Sequence, residues 1–153
     1  ALHSKAVDNP LQISAHAYSQ QVLINNTQSH KTTPKFERAR YMSGDDASVY
    51  ISGTAAIRGE ESCSEDAVGQ TRLTMENIDY LISEENLIKS GVAEPEKMAY
   101  ASLRAYLKYR DDLEQVVEWM DRNYPQVDVL YLWADICREE LLIEIEGIAK
   151  QVN

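Results

Sequence analysis

Two glutamates stand two residues apart near the end of the chain, in the run Leu141-Leu142-Ile143-Glu144-Ile145-Glu146-Gly147-Ile148-Ala149. Leu141, Ile143 and Ile145 alternate with them. The run therefore reads as a strand with one face in a core and both carboxylates on the other. One reading of that second face is plain solvation, because charge usually means water. The other is a carboxyl held on a sheet that closes over a site. A carboxyl kept from water beside a second carboxylate holds its proton to higher pH, and such a group can act as a general acid.

The remaining reactive side chains bound the chemistry. The chain has 153 residues, two cysteines and three histidines. Cys63 and Cys137 are too few for a disulfide framework or a zinc site. His3, His16 and His30 show no metal-ligand spacing, so no metal and no cofactor are expected. The formal charge is −10, which argues against nucleic acid and against an anionic membrane as partners. No apolar run approaches a membrane span, and no secretory signal is visible. A cytoplasmic setting is the default expectation. The hydrophobic fraction of 44% suits one domain with a core of its own.

The elements that must position these groups are read from periodicity. Residues 1–35 are polar and expected to be irregular or extended, with the domain running from 36 to 153. Arg38–Ser43 and Ser48–Ile57 read as a hairpin about Gly44-Asp45-Asp46. Gly53 lies inside that second strand, which signals a bulge or a close approach. Arg58–Asp66 reads as a charged loop, and Ser64, Glu65 and Asp66 can start a helix. Val68, Thr71, Met75, Ile78 and Ile82 follow at helical spacing. Residues 86–96 read as a connection. Met98–Tyr109 alternates again, with Ala101, Leu103, Ala105 and Leu107 on one face and Tyr100, Ser102, Arg104 and Tyr106 on the other. A second helix carries Leu113, Val116, Val117 and Met120 and closes before Pro125. Val127–Ile136 is a fourth strand, with Leu130 and Leu132 toward the helices and Tyr131 and Trp133 away from them. The order β-β-α-β-α-β-β gives an α+β two-layer sandwich, a mixed sheet with both helices on one face. The aromatic and charged second face is expected to be covered, by another copy of the sheet or by a partner domain.

Ile51-Ser52-Gly53-Thr54-Ala55-Ala56-Ile57, Gln70-Thr71 with Glu76-Asn77-Ile78, and Ile143-Glu144-Ile145-Glu146-Gly147-Ile148-Ala149 resemble the YjgF/RidA superfamily, also called L-PSP endoribonucleases. The resemblance implies a chorismate-mutase-like fold, a trimer and clefts between subunits. Imine-hydrolysing members carry an arginine after a Pro-Ala pair at the start of the fourth strand. Here that run is Tyr124-Pro125-Gln126-Val127-Asp128-Val129, without one, so an imine deaminase is not expected.

A resemblance to the C-terminal half of chorismatases spans more of the chain. It rests on Asn9-Pro10-x-Gln12-x-Ser14-Ala15, Pro34-x-Phe36-x-Arg38-Ala39, Ile51-Ser52-Gly53-Thr54-Ala55, and Ala134-Asp135-Ile136-Cys137-Arg138 with Leu141–Glu146. Chorismatases hydrolyse chorismate, releasing pyruvate, and are built from two such domains. The resemblance implies Glu144 as the acid and Arg38 as a holder of a substrate carboxylate, with Arg138 as a weaker candidate. It implies Gly53, Thr54 and Ala55 as pocket lining, Cys137 and Tyr18 near the ligand, and Glu146 beside Glu144. Tyr131 and Trp133 are expected to desolvate Glu144. The implied partners are a small carboxylic acid and either further copies of the chain or an N-terminal sister domain. Two alternatives stay open: a non-catalytic module that binds such an acid in a cleft between subunits, and a purely structural trimerising domain.

Overall fold

Helix α1 (Ala67–Leu81) buries far more than one stripe, and the sheet is arranged around it. In the computed structural model, which describes residues 3–12, 37–59, 61–63 and 65–152, six strands form one sheet in the order β1-β2-β3-β8-β6-β7. These are β1 (Ser4–Val7), β2 (Ala39–Met42), β3 (Ser48–Ala55), β6 (Met98–Leu107), β7 (Val129–Trp133) and β8 (Ile143–Gln151). The pairing of β6 with β7 is parallel and the rest is antiparallel. Strands β4 (Ile57–Arg58) and β5 (Glu61–Ser62) make a separate small hairpin. Helix α2 (Glu84–Lys89) follows α1, and α3 (Leu113–Asn123) joins β6 to β7. The fold is the expected α+β sandwich with a mixed sheet.

The core lies between one sheet face and the helices. Val49 and Ile51 of β3, Leu103, Ala105 and Leu107 of β6, and Ile143, Ile145 and Ala149 of β8 pack with Met75, Ile78 and Leu81 of α1 and Val116 and Met120 of α3. Each such Leu, Ile or Met contributes about 1.5–3 kcal/mol by leaving water. Asp66 starts α1, its carboxylate accepting the Gly69 N–H at 2.8 Å, which satisfies one of the orphan donors of the first turn. Ser64 lies outside the described residues.

Several expectations need correction. Residues 4–7 pair with β2, so the sheet begins well before residue 36. The loop 58–66 contains the β4–β5 hairpin, and the connection 86–96 begins inside α2, which Ser83 caps by accepting the Asn86 N–H at 3.2 Å. A bulge at Ala101 shifts the register of β6 against β8 between Tyr100 and Ser102. Tyr100 therefore turns to the helix side, where its hydroxyl donates to Asp79 of α1. Strand β7 is opposite in phase to the reading from sequence. Its parallel register aligns Val129 with Leu103 and Tyr131 with Ala105, so Val129 and Tyr131 pack on the core. Leu130 faces away from the helices and is 57% exposed. Both faces of β7 carry apolar side chains, as is usual in parallel pairs, so only the pairing fixes the phase.

Five buried amides tie the chain together. Gln70 of α1 donates to the Glu140 carbonyl at 2.9 Å and accepts the Leu142 N–H at 2.8 Å. Asn77, on the same face of α1, donates to the carbonyls of Ala55 and Ile57, each at 3.0 Å. Asn9 donates to Asn77 O, Gln12 to Ala55 O, and Asn86 to Asp8 O and Leu81 O. Replacing Gln70 by Leu leaves the partly buried Glu140 O and Leu142 N–H without their partner, at about 1–3 kcal/mol for the two together. Urea unfolding of Gln70→Leu is expected to show a lower midpoint by that order, with the dichroism of the folded protein unchanged.

Candidate functional site

The sheet face turned away from the helices carries the charged groups. On β8 it presents Glu144, Glu146 and Ile148, and on β6 Ser102, Arg104 and Tyr106. Tyr106 stands opposite Glu144, and Arg104 opposite Glu146. On β3 the register against β8 shifts between Ile51 and Thr54, which sets Ser52 and Gly53 against the single residue Glu146. This is the bulge that Gly53 signals in the sequence. A side chain at Gly53 would put Cβ 2.2 Å from Glu144 Oε1. The Glu144 carboxyl thus lies flat on the Gly53 backbone, and only glycine leaves that room.

Glu144 is half-buried. Loss of water raises its pKa above the ordinary carboxyl value, the charge of Glu146 raises it further, and Arg38 draws it back. Its carboxyl has no hydrogen-bond or ion-pair partner among the described residues. Glu146 is held differently. Its Oε1 accepts the Tyr106 hydroxyl at 2.6 Å and lies 3.0 Å from Arg104 Nε.

Arg38 enters at the start of β2, its carbonyl accepting the Ser52 N–H at 3.0 Å. Burial lowers its pKa first, the charge of Arg138 lowers it further, and Asp8 and Glu144 oppose this. Two guanidinium groups and the Glu144 carboxyl therefore act on one another. Arg138 reaches this place from the loop between β7 and β8. Ile136 and Leu141 anchor that loop in a small second core with Ala55, Ala56, Ile57 and Leu73, and Arg138 Nη1 donates to Ser62 Oγ at 2.9 Å. Arginine pairs of this kind suit carboxylates, which they bind through two parallel N–H groups.

The other expected site residues divide. Gly53 contacts Glu144 directly. Thr54 is fully buried and its hydroxyl donates to Ser52 O at 2.9 Å, so its side chain lies in the core and not in a pocket wall. Ala55 is buried in the second core, and its carbonyl serves Asn77 and Gln12. Cys137 is an exposed free thiol on the Arg138 loop. Tyr18 lies outside the described residues. Tyr131 and Trp133 do not desolvate Glu144, because β7 turns them to the helix side. There they line a pocket of about 310 Å³ with Tyr109, Arg110 and Leu113. Burial and Asp121 push the Tyr131 phenol up to about 12, and Arg110 stacks 4.0 Å over the Trp133 ring. A groove of about 520 Å³ does open on the outer face, lined by Ser102, Arg104, Leu130 and Ile148 among others. Glu146 stands between it and Glu144. Among the described residues no group of His, Cys, Asp and Glu could hold a metal ion, and no helix is long and apolar enough to cross a membrane.

A scan against models of known protein families finds no match. Among curated proteins, the chain is 33% identical over 150 residues to a 3-hydroxybenzoate synthase of Streptomyces hygroscopicus. It is 32% identical over 148 residues to a chorismatase of Streptomyces rapamycinicus. Each alignment covers 93% of this chain and 42% of the relative, so the chain spans less than half the length of the curated relatives it matches. A chorismatase crystal structure superposes with a TM-score of 0.78 at 30% identity, over 95% of this chain and 43% of that one. A putative endoribonuclease L-PSP from Entamoeba histolytica matches with a TM-score of 0.62 at 14% identity, over 98% of this chain and all of its own. A member of the YjgF/YER057c/UK114 family from Mycobacterium tuberculosis gives 0.58 at 19%, with the same coverage. The chain has a YjgF-like fold close to that of chorismatase.

The Glu144 shift sets a sign for stability. The folded chain binds this proton more tightly than the unfolded chain does. The resulting contribution is complete below the ordinary Glu value of about 4.3 and is lost as pH rises through the raised folded value. Glu144→Gln is therefore expected to stabilise the fold more at neutral pH than at pH ~4, measured by urea unfolding at both. In Gly53→Ala the new methyl displaces the Glu144 carboxyl. Its carbon-13 titration midpoint is expected to fall toward the ordinary value in that variant.

Proposed function

We propose that the chain is a chorismatase-like unit that hydrolyses the enolpyruvyl ether of chorismate, or of a related acid, and releases pyruvate. One observation carries this reading: a half-buried carboxyl, Glu144, with a raised pKa and no hydrogen-bond partner among the described residues, lies within electrostatic reach of Arg38. An enolpyruvyl ether is cleaved by protonating its terminal methylene carbon. That step needs an acid still protonated near the working pH. Glu144 gives its proton to the methylene. The adjacent carbon, now cationic, takes water and loses one of the water's protons, which returns to Glu144. The hemiketal then collapses, its hydroxyl proton passing to the ring oxygen. Pyruvate leaves with the water's oxygen as its carbonyl.

Arg38 and Arg138 supply charge for the substrate carboxylates. The charge of Arg138 disfavours the Arg38 cation, and a carboxylate between them relieves that repulsion while binding. The similarity to a 3-hydroxybenzoate synthase and to chorismatases supports this substrate class. The outer face is covered in the working protein by a sister domain or by further copies of the chain. The exposure of Tyr50 (51%) and Leu130 (57%) on that face supports such a cover, as does the chain's share of its relatives' length. The second reading is a module that binds a small carboxylic acid without turning it over. It draws on the buried side chains of Thr54 and Ala55, which leave the outer face shallow beside Gly53.

Pyruvate release from chorismate, followed by a coupled lactate dehydrogenase reaction, tests the enzyme reading on this chain and on any longer protein that contains it. The expected result is turnover that falls as pH rises through the Glu144 value and is lost in Glu144→Gln. Turnover surviving that substitution removes Glu144 as the acid. Chorismate binding by calorimetry with no pyruvate from any form favours the binding module.

A further inference from the structure

Glu144 and Glu146 share a face of β8, yet their neighbours treat them differently. Strand β6 sends two donors to the same oxygen of Glu146. Arg104 lies directly opposite it and approaches with Nε at 3.0 Å. Tyr106 lies opposite Glu144 but passes it by, donating its hydroxyl to Glu146 Oε1 at 2.6 Å. Glu144 has no such donor among the described residues.

We propose that Arg104 and Tyr106 are positioning residues that hold Glu146 as a fixed anion, so that Glu146 neither meets the substrate nor shares the proton of Glu144. The inference rests on the reading of Glu144 as a general acid. Two carboxyls at alternate positions of one strand have Cα atoms roughly 7 Å apart. Flexible Glu side chains can bridge that distance and share one proton, and the pair then titrates as a unit. A shared proton is a poor one to deliver to carbon. Two donors fixed on Glu146 prevent the sharing, and the remaining charge holds the proton on Glu144. The Tyr106 hydroxyl is itself made harder to ionise by Glu146, so it stays a donor. The other groups facing Glu144 are Arg38 from the start of β2, which favours its ionised form, and Gly53 from β3, which brings no charge. Arg138 acts through Arg38.

The test is a carbon-13 titration of the Glu144 carboxyl, assigned by its loss in Glu144→Gln, on the wild type, Arg104→Lys and the double variant Arg104→Met with Tyr106→Phe. One inflection is expected in the wild type and in Arg104→Lys. Two inflections, separated by about one pH unit or more, are expected in the double variant. If the double variant does not fold, Tyr106→Phe alone is expected to broaden the curve in the same sense. An unchanged single inflection in the folded variants overturns the proposal. Pyruvate release is followed on the same proteins. No pyruvate from the wild type, either as this chain or within any longer protein that contains it, overturns the general-acid reading by itself, because the titration reports the hold on Glu146 without substrate.

Discussion

Two side-chain amides on one face of one helix fix the distance on which the site depends. Gln70 bonds both ways to the chain entering β8, and Asn77, seven residues along α1, holds the chain leaving β3. Residues seven apart lie on one side of an α-helix, so a single rigid body grips both places. Between those grips Glu144 comes to lie on Gly53. Both amides are buried. Removing either leaves its backbone partners without a bond, buried ones at Ala55 and Ile57 and partly buried ones at Glu140 and Leu142. Where water is kept out, that is costlier than the bonds themselves are worth. The geometry of the outer face is thus set from the inner one.

The electrostatics follow from that geometry. Arg38 is disfavoured as a cation and Glu144 as an anion, each chiefly by loss of water. The fold carries this cost in the absence of a ligand. An anion bound near Arg38 and Arg138 relieves the first, and the same anion further disfavours ionised Glu144. Binding of a carboxylate therefore strengthens the hold of Glu144 on its proton. Sites of this kind, with shifted groups of both signs held close together, are where chemistry is expected.

The strand β8 and its two faces are legible in the sequence because apolar and charged residues alternate without a break. Gly53 is legible because a strand rarely tolerates glycine without a reason. The phase of β7 is not legible: Leu130, Tyr131, Leu132 and Trp133 are all apolar, and only pairing with β6 decides which turn inward. The start of β6 misleads because Ala101 is a bulge, and a period of two fails wherever one residue is unpaired. The buried amides are hidden for another reason. Gln and Asn look like surface residues. Although Gln70 and Asn77 fall in a motif of the resemblance, their burial shows only in their standing among Leu73, Thr74 and Ile78 on the buried part of α1. Strand β1 escapes notice because an edge strand of four residues buries only Val7.

The half-exposure of Glu144 bears on how the outer face works. Water still reaches its carboxyl in the isolated chain, and that limits how far desolvation can raise its pKa. A second layer of protein over β3, β8 and β6 would exclude that water. It would also lower the local dielectric, so the charge of Glu146 would act on Glu144 more strongly. Both effects raise the Glu144 value. The same cover would desolvate Arg38 further, and a bound anion would add to the charges of Asp8 and Glu144 that offset that cost. Under the proposed function, covering the face therefore tightens the hold of Glu144 on its proton and favours an anion beside Arg38, which couples assembly of the site to the chemistry proposed for it.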